Sequence, residues 1–102
     1  MNLMSKRELS EQEIKADLMH RLFRKHCWGA KYLPLDTIVR WMSGKIKRNG
    51  RRIQRAVRQL VNEGYLILHK RGKTASLNPE RNKEIVEFIR GFITQNNSQS
   101  LR

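Results

Sequence analysis

From Asn49 to Glu63 the chain carries apolar residues at helical spacing on one side and arginines on the other. No other stretch constrains the fold as much. At about 100° per residue, Ile53, Ala56, Val57, Leu60 and Val61 fall on one face, while Arg51, Arg55, Arg58 and Asn62 fall opposite. Arg52, Gln54 and Gln59 flank the basic face. Such a helix must bury its apolar stripe against other elements and leave the arginines outside. Asn49 is its expected N-cap and Gly64 its C-terminal stop.

Between Thr37 and Pro79 stand eleven Lys/Arg residues and a single acid, Glu63, so ten of the formal net charge of +13 lie in less than half of the chain. Solvated helices ordinarily mix signs and form i,i+4 pairs, so an unrelieved arginine face predicts an external polyanion. Arginine is a planar fork suited to phosphate oxygens and the guanine edge, and Asn or Gln can pair with adenine. Arg51, Arg52, Gln54, Arg55, Arg58, Gln59 and Asn62 are therefore expected to contact nucleic acid. Lys45, Lys47 and Arg48 before the helix, and Lys70, Arg71 and Lys73 after it, are expected to neutralise phosphates and fix register. Thr37 and Arg40 would add backbone contacts.

A length of 102 residues predicts one domain with a modest core. No apolar run approaches the roughly 20 residues needed to cross a bilayer, and the N-terminus shows no signal-peptide pattern, so a cytoplasmic protein without a membrane partner is expected. Cys27 is the single cysteine and is expected in the core. A metal set of His20, His26 and Cys27 would not converge, since neighbouring helix positions point about 100° apart. Glu11, Glu13 and Asp17 suit a helix N-terminus, and no nucleophile–base pair has a catalytic spacing. The expectation is a non-enzyme with no cofactor.

Along the chain, Ser10-Glu11-Gln12-Glu13 is a capping box with Leu9 and Ile14 at the staple positions. Ile14, Leu18, Met19, Leu22 and Phe23 then predict an amphipathic helix ending near Gly29. Lys31-Tyr32-Leu33 reads as a short edge strand stopped by Pro34, which opens a second helix through Leu35, Ile38, Val39 and Met42 to Ser43-Gly44. Trp41 is expected to pack between this helix and its neighbours. After the basic helix, Tyr65–His69 and Thr74–Leu77 predict a β-hairpin around Lys70-Arg71-Gly72-Lys73. His69 is expected at a strand edge on the surface. Asn78-Pro79-Glu80 then starts a last helix.

The order helix, short strand, helix, basic helix, β-hairpin resembles the winged helix-turn-helix family, most closely at Gln59-Leu60-Val61-Asn62-Glu63-Gly64-Tyr65-Leu66, where the third helix closes and runs into the first hairpin strand. In size and charge the chain is similar to small archaeal and prokaryotic members. The resemblance covers about residues 10 to 78. It implies an α+β fold of three helices plus a wing, here with an additional C-terminal helix. Leu35–Met42 would be the first helix of the turn motif, Asn49–Glu63 the recognition helix in the major groove, and Lys70, Arg71 and Lys73 the wing tip. One departure is the connection from Ser43 to Asn49, which is longer than the usual tight turn and itself basic. The expected organisation along the chain is a flexible segment 1–9, the domain 10–78, a helix 79–94 packing on the domain or dimerising, and a polar, disordered tail 95–102.

The implied function is a duplex DNA-binding transcriptional regulator. Two alternatives stay open: a winged-helix protein binding structured RNA, and a protein-interaction winged helix within a larger complex. DNA is favoured over RNA because the outer face of the basic helix carries no aromatic side chain for stacking unpaired bases. In the last helix Ile85, Val86, Phe88, Ile89, Phe92 and Ile93 span an arc of roughly 160°. That width is more than one contact needs, and a homodimer through Phe88, Ile89, Phe92 and Ile93 is expected.

Overall fold

The protein, described by a computed structural model over residues 10–43 and 49–97, is an α+β fold of four α-helices and a three-stranded antiparallel sheet. The elements are α1 (Glu11–Arg24), β1 (Leu33–Pro34), α2 (Leu35–Ser43), α3 (Asn49–Asn62), β2 (Leu66–His69), β3 (Thr74–Leu77), a 3-10 turn (Pro79–Arg81) and α4 (Asn82–Asn97). The expected phosphate contacts Lys45, Lys47 and Arg48, the staple residue Leu9 and the segment 1–9 lie outside the described residues, as does 98–102.

The capping box at the start of α1 forms as expected. Ser10 Oγ accepts from the Glu13 amide at 3.1 Å, and the Ser10 amide donates to Glu13 Oε1 at 2.8 Å. The end of α1 corrects the expected stop at Gly29: the helix closes at Arg24, five residues earlier. The Cys27 amide donates to Leu22 O and the His26 amide to Phe23 O, the paired bonds of a Schellman motif, with His26 at φ +58° where glycine is usual. The reversal drives Cys27 into the core, and Leu77 and Gly29 then donate to Cys27 O and Leu77 O.

The same motif closes α3, here with the expected glycine. Tyr65 N bonds Leu60 O and Gly64 N bonds Val61 O, with Gly64 at φ +86°. A side chain at Gly64 would also approach the Arg81 guanidinium at 3.1 Å. Asn78 Nδ2 donates to Gly64 O at 2.8 Å, tying the end of α3 to the start of the last helical segment.

In the sheet, β3 is central, flanked by β1 and β2. Leu66 pairs with Leu77 and His69 with Thr74, so the hairpin has the expected strands. β1 is the expected edge strand, but Pro34 belongs to it rather than stopping it, opposite Thr74. An edge tolerates the missing amide, and the next one, Leu35 N, donates to Lys73 O at 2.9 Å.

The core lies between α1, α2, α3, α4 and the inner sheet face. Ile14, Leu18, Met19 and Leu22 meet Ile38, Met42, Ile53, Leu60, Leu66, Leu77, Ile85 and Ile89, each worth about 1.5–3 kcal/mol on full burial. α4 itself begins at Asn82 after the 3-10 turn and continues to Asn97, past the expected bound at 94. Of its wide arc, Ile85 and Ile89 are buried, while Val86, Phe88, Phe92 and Ile93 are half-buried. Phe88 meets Tyr65 edge-on at 6.2 Å. No helix among the described residues is long and apolar enough to cross a membrane.

Candidate nucleic-acid interface

α3 divides as its wheel predicts. Ile53, Ala56, Val57 and Leu60 are buried and Val61 half-buried; Arg51, Gln54, Arg55, Arg58 and Asn62 are exposed, with Arg52 and Gln59 half-buried between the two faces. The lone acid of the basic stretch does not relieve this face. Glu63 Oε2 is held 3.1 Å from Lys15 Nζ of α1, whose side chain is only 6% exposed.

The expectation of an arginine face without an acid needs one correction. Arg55 lies 3.5 Å from Glu11 Oε2, and both side chains are about half exposed. Such a surface pair contributes little and is readily exchanged for another anion, yet it draws Arg55 toward α1. Arg58 and Gln54 instead point to the hairpin side, where with Lys73 they line a groove of about 570 Å³ between α2, α3 and the β2–β3 loop. The fold thus brings together Gln54, Arg58 and Lys73 from two separate basic segments. Asp36, on the first turn of α2, joins the same groove.

The loop itself is tightly wound. Lys70, Arg71 and Gly72 all have positive φ, at 50°, 58° and 85°, and Gly72 N donates to His69 O at 3.0 Å. Two consecutive left-handed residues closed by such a bond form a turn of the I′ sense, normally filled by Asn-Gly. Here Lys-Arg occupies those positions at the cost of strain. Lys70, Arg71 and Lys73 are exposed at its tip, and Arg40 is exposed while Thr37 is half-buried.

His69 ends the outer strand β2, as expected, but is half-buried and has partners. Its Nε2 lies 2.9 Å from Oγ of the fully buried Ser76, and its ring stacks on Tyr32 at 4.5 Å between centroids. Lys70 Nζ sits 5.9 Å from the same Tyr32 ring. This aromatic pair comes from two elements, so nothing in the local sequence signals it.

A second cationic cluster was also illegible in the sequence. Arg21, Arg24 and Lys25 at the end of α1 surround Trp41 of α2, with Lys25 Nζ 5.6 Å from the indole centroid. The Arg24 charge, after burial, helps hold the His20 pKa below its ordinary value. Burial pushes the Cys27 thiol up, which suits its packing role.

Comparison of the chain with protein-family models, with curated proteins and with solved structures finds no match.

Proposed function

We propose that the chain is a winged helix-turn-helix protein that binds duplex DNA as a transcriptional regulator, with α3 as recognition helix and the β2–β3 loop as wing. The observation that carries this reading is the convergence of Gln54 and Arg58 with Lys73 around one groove, while the single acid of the basic stretch is turned away onto Lys15. α3 would enter the major groove, with Arg58 and Gln54 at base edges, and Lys70, Arg71 and Lys73 on the adjacent phosphates.

Structured RNA is the second reading. The Tyr32–His69 stack beside Lys70, and Trp41 among Arg24 and Lys25, favour it, because aromatic rings flanked by cations suit unpaired bases. Filter binding of duplex DNA, duplex RNA and single strands over a salt series separates the two. If about six cations meet phosphates, log K for duplex DNA falls with log salt at a slope near −5. A slope near zero, or tighter binding to RNA at every salt concentration, overturns the DNA reading.

A further inference from the structure

The groove between α2, α3 and the hairpin has more apolar wall than contact with a phosphate backbone would use. Leu35 of α2, Val57 and Val61 of α3 and Leu68 of β2 form its floor. Leu68 shares the inward-facing register of Leu66, yet it is 39% exposed, because the helices do not cover the outer end of the strand. At about 570 Å³ the space is within the range of small-molecule sites, roughly 300–1,000 Å³. A mixed lining of aliphatic floor and few polar groups is also what such sites show.

Charge selects the ligand class. Arg58 and Lys73 stand on the rim, and neither side chain has an ion-pair partner among the described residues. Asp36 lines the same groove, so its lining carries one net positive charge, which a ligand with a single negative charge would balance. A planar carboxylate matches the guanidinium fork of Arg58 in a bidentate pair.

We propose that this groove binds a small amphipathic monocarboxylate, its apolar body on Leu35, Val57, Val61 and Leu68 and its carboxylate on Arg58 and Lys73, and that the bound ligand excludes nucleic acid. The exclusion rests on the DNA reading above; the binding site does not. Gln54, Arg58 and Lys73 would serve both partners, so one occupant removes them from the other.

The test uses the full chain with 2-naphthoate as probe and 2-naphthamide as its neutral isostere, followed by amide chemical shifts and calorimetry. Naphthoate is expected to shift Leu35, Val57, Leu68 and Gly72 and to bind about tenfold more tightly than naphthamide. Leu68→Glu should abolish this binding by placing a carboxylate on the floor. Arg58→Gln, at an exposed position that leaves folding intact, should remove the preference for the acid. Absence of binding at millimolar probe, shifts centred on Trp41 or Phe23 instead, or equal affinity for acid and amide would each overturn the site. Saturating naphthoate should lower duplex DNA affinity at least about tenfold, and undiminished DNA affinity in the saturated protein overturns the exclusion. If naphthoate binds as described and the free protein binds no DNA, the site stands and the DNA reading falls.

Discussion

His26 shows at the residue scale how tertiary packing overrides a local preference. It holds φ +58° so that Cys27 can enter the core behind Leu22, although a left-handed non-glycine residue costs about 1–2 kcal/mol. Glycine removes that strain but gains freedom in the unfolded chain, so His26→Gly is expected to raise stability by a net of about 0.5–1 kcal/mol in urea unfolding. A lower midpoint would mean that the imidazole makes a compensating contact. His20 supplies the pH dependence. Burial first, then the charge of Arg24, holds its pKa below the ordinary 6.5. The unfolded chain therefore binds the proton more readily, and the His20 contribution is fully present above pH 6.5 and lost as pH falls through the lower folded value. His20→Gln should flatten the fall in melting temperature on that acid side, and an unchanged profile would remove His20 as its source.

At the scale of the element, the buried and the basic face of α3 are set by its own periodicity, but the hairpin and α1 decide how its arginines are placed. Arg55 leans on Glu11 at 3.5 Å, whereas Arg58 faces the groove with Lys73. Arg58→Ala is therefore expected to weaken specific DNA binding by about 1–3 kcal/mol, and Arg55→Ala by less, since its guanidinium must first leave Glu11. On the proposed reading, in which Lys73 meets phosphate, Lys73→Ala should weaken binding to specific and random duplexes alike. Competition measurements with both duplexes decide this; equal losses on the two for Arg58→Ala would show that α3 does not read bases.

On the scale of the whole molecule, α4 closes the core with Ile85 and Ile89 but leaves a second apolar surface. Phe23, 36% exposed, lines a groove of about 210 Å³ with Val86, Ile89 and Ile93 between α1 and α4. Of the expected dimer residues Phe88, Ile89, Phe92 and Ile93, Ile89 is taken up by the core while the other three stay half-buried. A homodimer through the remaining apolar surface of α4 would present two copies of α3 to a two-fold symmetric site with half-sites about one helical turn apart. Sedimentation at micromolar concentration is expected to give a dimer that Ile93→Lys converts to a folded monomer; a wild-type monomer mass removes the dimer.

What the sequence by itself determined are the features that neighbours in the chain control. The Ser10–Glu13 box, the Gly64 stop, the hairpin around Gly72 and the two faces of α3 all rest on spacings of a few residues, where periodicity and capping chemistry act directly. Tertiary structure decided the rest. The Lys15–Glu63 bridge joins residues 48 apart, and the Tyr32–His69 stack, the Arg55–Glu11 pair and the groove of Leu35, Arg58 and Lys73 likewise join separate elements. Contacts of this kind depend on how helices and sheet pack, which one-dimensional spacing does not encode, and burial of the shared core is what brings those side chains together.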